Sequence, residues 1–331
     1  MEKENFIMLM SVLLFAVGLI LLIKGGDWFV DGATGIAKRF NLPDIVVGAT
    51  VVSIGTTLPE VMVSTTGALA GSGAMAYGNA IGSIICNTAL IAAISITCNP
   101  GPVNVKSMKT PAIFFFGAAA MYCLAAYGLG TFPRWMGFVM LAVFVVYMVL
   151  TVRNGMRNPD AASEEEEEEG KERKLWQELV LLVLGAAVIA VGADLLVEHG
   201  QVIAIGLGVP ETVIALLFVA LGTSLPELIT TITSLKKGRA SLGVGNVIGA
   251  NVFNLVLVSG VAVTLAPFDV PCENLLLNTG LNLSLVFDIP VMLAVMSLMI
   301  VPALFKKKLA RWQGIVLLGI YAAFCVLQFT L

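Results

Sequence analysis

Gly55-Thr56-Thr57-Leu58-Pro59-Glu60 lies in the middle of a long apolar run, and Gly222-Thr223-Ser224-Leu225-Pro226-Glu227 repeats it 167 residues later. Each copy sets a helix-breaking Gly and Pro, two hydroxyls and one carboxylate at what the flanking sequence makes bilayer depth. An ionisable side chain there costs about 2.5–3.5 kcal/mol on insertion scales, so it marks a functional site by default. Two such copies point to one binding site assembled from two halves.

The surrounding 331 residues are 58% hydrophobic and only 12% charged, with a mean hydropathy of +0.95. Soluble domains carry about twice that share of charge, so the chain is an integral membrane protein. Stretches of about 20 apolar residues can be marked at 6–24, 44–70, 76–98, 110–130, 133–152, 175–197, 209–235, 241–266, 286–305 and 311–330. That predicts an all-α protein of ten transmembrane helices. The alternating ten-residue segments of a β-barrel do not occur. The first span has no small-residue cleavage site and reads as a retained helix rather than a signal peptide.

Charge is segregated between the loops. Of the 19 Lys and Arg residues, all but Lys3 and Arg134 fall in alternate loops: Lys24, Lys38 and Arg39; Lys106 and Lys109; Arg153 to Lys174; Lys236, Lys237 and Arg239; Lys306 to Arg311. Basic loops stay inside, so both termini are expected outside a cell membrane and the loop carrying Glu164 to Glu169 in the cytoplasm. A miscounted span would scramble this segregation. The five Cys (Cys86, Cys98, Cys123, Cys272, Cys325) show no CxxC spacing and read as small apolar residues. His199 reads as a loop residue rather than a ligand.

The repeat is wider than the motif. Gly18/Gly185, Gly25/Gly192, Asp27/Asp194, Pro43/Pro210, Gly71/Gly238, Asn79/Asn246, Gly82/Gly249 and Asn87/Asn254 keep the same offset. Arg134-Trp135 and Arg311-Trp312 then recur at an offset of 177, so the second half carries about ten extra residues within 268–285. Five spans per half, an odd number, make the halves enter the membrane in opposite senses. The expected plan is two inverted-topology five-helix repeats, 1–152 and 175–331, joined by an acidic cytoplasmic linker, 153–174. Such repeats place their site near the midplane, at paired interrupted helices. The Glu run reads as a solvated tether, with a weak cation antenna as its rival. Asp44 and Glu211 follow Pro43 and Pro210 and read as helix-start residues. Asp27 and Asp194 read as packing or interfacial residues at span ends.

At 3.6 residues per turn, Ser53, Thr56, Thr57, Glu60 and Ser64 share a helix face, and the copy reads Ala220, Thr223, Ser224, Glu227 and Thr231. A polar stripe on an apolar helix faces a cavity or the bundle interior. Pro59 and Pro226 lack an N–H, which frees carbonyls near 53–56 and 220–223 to face the same space. Asn79, Ser83 and Asn87, and Asn246, Ala250 and Asn254, recur every four residues on the next span. The Asn79/Asn246 pair can alternatively be interhelical glue. An all-oxygen site with two carboxylates, no His and no Cys suits a hard cation such as Ca²⁺, and the same oxygens could hold several Na⁺. No nucleotide-binding signature is present, so transport would draw on an ion gradient. Nothing marks nucleic acid or an obligate protein partner.

The paired GT(T/S)LPE segments, each followed by GN-x-IG and a later Asn, resemble the two alpha repeats of the sodium/calcium exchanger family of the calcium/cation antiporter superfamily, over about 18–98 and 185–265. The resemblance implies a Na⁺/Ca²⁺ antiporter working by alternating access at a shared midplane site, with the bilayer and the two transported ions as its partners and no resident cofactor or enzyme activity. By position, the ion ligands it implies are Thr56, Thr57, Glu60, Ser83 and Asn87, then Thr223, Ser224, Glu227 and Asn254, with backbone carbonyls from Ser53 and Ala220. Two departures bear on selectivity. Ala250 stands where the family often has Ser, and Asn254 stands where the potassium-dependent branch carries Asp. The proton-coupled branch shows GNxxE in place of GTSLPE, which makes a Ca²⁺/H⁺ antiporter the second reading. An intramembrane hydrolase using Glu60 and Glu227 as acid and base would need their environments to differ, and the copies are nearly symmetric. A pure channel does not require two broken copies of one site.

Overall fold

The computed structural model describes residues 2–157, 173–206, 222–271, 275–276 and 281–330. Eleven helices follow in order: α1 (Glu2–Arg39), α2 (Asp44–Thr56), α3 (Leu58–Leu69), α4 (Gly73–Cys98), α5 (Val105–Leu129), α6 (Arg134–Met156), α7 (Leu175–Gly206), α8 (Leu225–Lys236), α9 (Ala240–Leu265), α10 (Ser284–Lys306) and α11 (Arg311–Thr330). Among the described residues, eight helices are long and apolar enough to cross a membrane, and α2 with α3 adds one more span bent by 46°. The protein is a multi-pass helical membrane protein. The first half of the expected span 209–235, with Pro210, Glu211 and Ala220, lies outside the described residues, as do Glu164 to Glu169 and Cys272.

Helix ends depart from the hydropathy limits. The first helix runs on to Arg39 instead of stopping near residue 24. Lys24 and Asp27 therefore sit within a helix, not in a loop or at a span end. The Gly25-Gly26 pair does not break it because these glycines are contact surface. A Cβ on Gly25 would stand 2.9 Å from the Ile189 amide nitrogen and 3.0 Å from the Gly185 carbonyl oxygen. Gly18 and Gly192 meet the same way, so α1 and α7 lie antiparallel with their backbones in touch. The latter likewise continues to Gly206, which puts Asp194 and His199 inside a helix. His199 is no loop residue: its Nδ1 lies 3.4 Å from Ser11 Oγ on α1. Pro43 caps α2 from outside, and Asp44 is the first helical residue.

The centre of the bundle is α4 and α9, whose most apolar windows are 72% and 83% buried against 17% for α1. Helix α2 crosses α9 at backbone contact. A Cβ on Gly48 would fall 2.2 Å from the Leu242 carbonyl, and one on Gly245 2.3 Å from that of Ile45. Tyr147 on α6 donates its hydroxyl to Ala49 O at 2.7 Å across the same seam.

Structural landmarks repeat at the spacing of the sequence repeat. Helices α3 and α8 are both 12 residues with Pro in the first turn. Helices α4 and α9 each run 14 residues in regular α form and then widen into a π turn, at Asn87 and at Asn254. Short strands exchange between halves. Gly101–Pro102 (β1), after α4, pairs antiparallel with Lys308–Leu309 (β6), while Thr131–Phe132 (β2) pairs with Phe268–Asp269 (β3), after α9. Since β1 and β2 flank α5, the two pairings sit at opposite ends of it. A third antiparallel pair, Leu275–Leu276 with Leu281–Asn282, occupies the extra length of the second half.

Ion pairs gather at one end of the bundle. Lys237, in the α8–α9 turn, lies 2.6 Å from Asp31 and 3.7 Å from Asp27 on α1, and Arg239 binds both carboxylate oxygens of Asp44 at 2.8 and 3.0 Å. The acids have counterparts in Asp194, Glu198 and Glu211, but the residues matching Lys237 and Arg239 are Ala70 and Ser72.

The backbone contact at Gly245 leaves no room to relax. Gly245→Val should therefore destabilise by at least the overpacking cost of about 1–3 kcal/mol, seen as a lowered melting temperature in detergent. Gly117→Ala, on an exposed stretch of α5 with open space around it, should leave that temperature unchanged or slightly raised.

Candidate cation-binding site

Helix α2 ends at Thr56, and the chain turns at Thr57 (φ −87°, ψ −1°) before α3 begins. Pro59 cannot donate to the carbonyl four residues back, so the bend falls where the hydrogen-bond ladder is already interrupted. It delivers Glu60 in the first turn of α3, where the helix dipole favours negative charge. Glu227 has the same place in α8. Both are 0% exposed.

The surrounding side chains are polar and buried: Thr57, Asn87, Ser224 and Asn254 are at most 1% exposed. Both oxygens of Glu60 and of Glu227, the hydroxyls of Thr57 and Ser224, and both amide atoms of Asn87 and Asn254 have no hydrogen-bond partner among the described residues. A buried hydroxyl or amide left unpaired costs about 1–3 kcal/mol, and a charge costs more. Ten such atoms from six residues, drawn from both copies of the motif and from both π turns, are the signature of a site built for something other than protein. Four carboxylate oxygens, with amide and hydroxyl oxygens, form a donor set for a hard cation, and the ion's charge would offset the mutual repulsion of the two acids.

The remaining expected residues occupy a second ring. The Ser53 hydroxyl has three acceptors within reach of its one proton, Gly48 O at 2.8 Å, Asn246 O at 3.0 Å and Asn246 Oδ1 at 3.2 Å, and its own carbonyl accepts the Thr57 amide at 3.0 Å. That carbonyl is thus not left free by Pro59, contrary to the sequence expectation, because the N–H two residues before the proline takes it. Thr56 Oγ1 donates to Asn246 Oδ1 at 3.1 Å, and Thr223 Oγ1 to Asn79 Oδ1 at 3.4 Å. These are equivalent pairs, each threonine in one half being held by the asparagine of the other. Asn79 further donates to Glu60 O at 3.2 Å and Ser64 Oγ at 2.8 Å. Ser83 is buried on the face of α4 that carries Asn87, and Ala250, fully buried, brings no hydroxyl to the matching place on α9. A small cavity of about 10 Å³, room for about one water, lies beside Thr56, Pro59 and Pro226, with Phe29 of α1 and Ala186 of α7 as its outer wall.

Two features escaped the sequence reading. The cross-half threonine–asparagine pairs were legible only as a reciprocal relation between residues of the same offset. Thr230 and Ser234 on α8, three and seven residues past Glu227, extend its polar stripe and are also buried and unpartnered. The helical period alone would have found them.

The family model described as "Sodium/calcium exchanger protein" matches residues 10–153 and 178–330. The chain is 34% identical to the uncharacterized membrane protein MJ0091 of Methanocaldococcus jannaschii, over 95% of this chain and 96% of that protein. It is 29% identical to the sodium/calcium exchanger MaX1 of Methanosarcina acetivorans, over 96% and 98%. Its fold superimposes on a solved structure of the sodium-calcium exchanger NCX_Mj with a TM-score of 0.77 and 32% identity, covering 96% of this chain and 99% of that one.

If the unpartnered oxygens are a cation site, Ca²⁺ at 100 times its dissociation constant should stabilise the protein by about 2.7 kcal/mol, read as a shift in thermal melts in detergent. Glu60→Gln and Glu227→Gln should each lose that shift. Each should also melt above the wild type when ions are chelated, since one of two buried like charges is gone.

Proposed function

The chain belongs to the sodium/calcium exchanger family, and from that premise we propose that it is a secondary antiporter whose shared ion site is the cluster around Glu60 and Glu227. It exchanges Na⁺ for Ca²⁺ across the membrane. The observation that carries the site assignment is the pair of buried carboxylates, contributed by matching first turns of α3 and α8 and left without hydrogen-bond partners among the described residues.

In this reading Glu60, Glu227, Asn87, Asn254, Thr57 and Ser224 bind the ions directly, with Ser83 at the edge of the site. Thr56 and Thr223 also serve. A hydroxyl that donates its proton to an asparagine oxygen turns its lone pairs away from that bond, so Asn246 and Asn79 orient the two threonines as ligands. The backbone oxygen of Ser53, through the lone pair not engaged by the Thr57 amide, and that of Ala220 complete the set carried over from the family motif. Two acids neutralise one Ca²⁺, and the same oxygens accept Na⁺ when Ca²⁺ leaves, so occupancy by one ion excludes the other. With Ala250 and Asn254 in the second half, the site has one hydroxyl fewer than the family pattern and only two carboxylates.

The finer architecture follows the same reading: ten spans as two inverted five-helix repeats, 1–152 and 175–331, around the linker 153–174. The strand exchange supports it. With β1 and β3 at opposite ends of α5, the chain leaves α4 and α9 at opposite faces of the membrane. The basic loops give the orientation in the cell membrane, linker inside and both termini outside. The protein needs no cofactor and no protein partner for this work, and carries out no enzymatic step.

In proteoliposomes with clamped pH, an outward Na⁺ gradient should drive ⁴⁵Ca²⁺ uptake, and Glu60→Gln or Glu227→Gln should reduce it to the level of protein-free vesicles. Uptake that ignores Na⁺ and follows a proton gradient would overturn the Na⁺ assignment in favour of Ca²⁺/H⁺ exchange.

A further inference from the structure

Thr230, Thr231 and Ser234 stand at 0, 2 and 0% exposure on α8, and none of their hydroxyls has a hydrogen-bond partner among the described residues. With Ser224 and Glu227 they share one arc of the helix, at intervals of three or four residues. Elsewhere in this chain helical hydroxyls take one of two courses: Thr65, Thr151 and Thr264 also lack a partner among the described residues, whereas others turn back on their own backbone. Thr50 donates to Val46 O at 2.7 Å, Thr97 to Ala93 O at 2.7 Å and Ser259 to Asn254 O at 2.8 Å. The three on α8 forgo that bond, although burial makes it costly to do so.

The first half lacks this run. The residues matching Thr230, Thr231 and Ser234 are Val63, Ser64 and Gly67. Ser64 is clamped by Asn79 at 2.8 Å. At Gly67 the space is filled by Met75, whose side chain would lie 2.8–3.1 Å from an added Cβ. In the second half the clamp is undone, for both Asn246 Nδ2 and Thr231 Oγ1 are unpartnered. Past Glu60 the matching positions on α3 are thus taken up by Asn79 and Met75, while past Glu227 the hydroxyls on α8 have no partner among the described residues. Seven residues separate Glu227 from Ser234, about 10 Å of helix, and α8 ends two residues later at Lys236. Two cations stand at that end: Lys236 is exposed in the last turn of α8, and Lys237 is held by Asp31 and Asp27, which offsets the repulsion of an arriving ion by Lys237.

We propose that Thr230, Thr231 and Ser234 form a transit site for Na⁺ between Glu227 and the membrane face bearing the 237–239 turn. Three neutral oxygens can replace part of the hydration shell of a monovalent ion. They supply no negative charge, and a divalent ion gives up its water only to carboxylates and a fuller oxygen cage. This step rests on the exchange reading and assigns its sodium branch to one half of the protein.

The test uses Thr231→Val and Ser234→Ala, singly and together, in the full-length protein in proteoliposomes. Ca²⁺-dependent thermal stabilisation should persist, which reports an intact fold and midplane site. Na⁺-driven ⁴⁵Ca²⁺ uptake by the double variant should fall about tenfold, equivalent to about 1.4 kcal/mol, while Ca²⁺/Ca²⁺ exchange falls by no more than about twofold. Thr231→Ser, which keeps the oxygen, should restore Na⁺-driven uptake relative to Thr231→Val. Equal loss of both fluxes, or no loss of either, would overturn the transit site while the wild type still exchanges. A wild type without Na⁺-driven uptake would remove the exchange reading itself, and the transit site with it.

Discussion

Two carboxylates that repel each other in a dry interior set the terms for the rest of this molecule. Glu60 and Glu227 are fully buried, and no Lys, Arg or His of the described residues forms a salt bridge with either. A single buried charge is tolerated when a partner and hydrogen bonds compensate it, and here both acids lack them. The architecture instead holds them at two helix N-termini, where backbone dipoles point favourably, and surrounds them with amides and hydroxyls that have no other use. Holding those groups still requires a stiff frame. Backbone-to-backbone crossing of α2 and α9 supplies it, together with the reciprocal threonine–asparagine pairs that tie each half to the other.

Against this near-symmetric centre, the periphery is one-sided. Acidic residues recur in both halves, at Asp27, Asp31 and Asp44 and again at Asp194, Glu198 and Glu211. Among the described residues, Lys237 and Arg239 pair with the first set, and Glu211 lies outside those residues. Asp194 and Glu198 form no salt bridge among the described residues and are exposed on α7. One end of the bundle is thus pinned by ion pairs across helices, while Asp194 and Glu198 have no such pairing among the described residues. The hydroxyl run of α8 leads toward the pinned end. Duplication has preserved the site, and divergence has acted on what surrounds it.

Most of the fold was legible because two signals, hydropathy and self-similarity, both act over long windows. Apolar runs located the spans, and the offset of 167 located Glu60 and Glu227 together. The misread helix ends come from one cause: hydropathy reports the solvent around a helix, whereas backbone hydrogen bonding decides where the helix ends. Lys24, Gly25 and Asp27 look like a loop by composition, yet the glycines there are close-packed against α7 and the helix passes through them. His199 fell to the same error. At the site, residue types and spacing gave the acids and their neighbours. The partners of Ser53 and Thr56 depended on how α2 crosses α9, a tertiary contact with no local sequence signal. Thr230 and Ser234 needed only one more turn of the periodicity.

The seam between α1 and α7 has a consequence of a mechanical kind. Helix α1 is 38 residues and α7 is 32, about 57 and 48 Å at the α-helical rise, against about 30 Å of hydrocarbon. They can be accommodated only by steep tilt, by ends that leave the hydrocarbon, or by deforming the lipid around them. Glycine contacts bind the two along their length, so they take up that mismatch as one body, and their lipid-facing windows are only 17% and 28% buried. Phe29 of this pair rests on Gly55, one residue from Thr56, where an added Cβ would come 2.8 Å from its ring. Hydrophobic mismatch of this pair would therefore bear on the wall beside Thr56, and lipid chain length becomes a variable of its energetics.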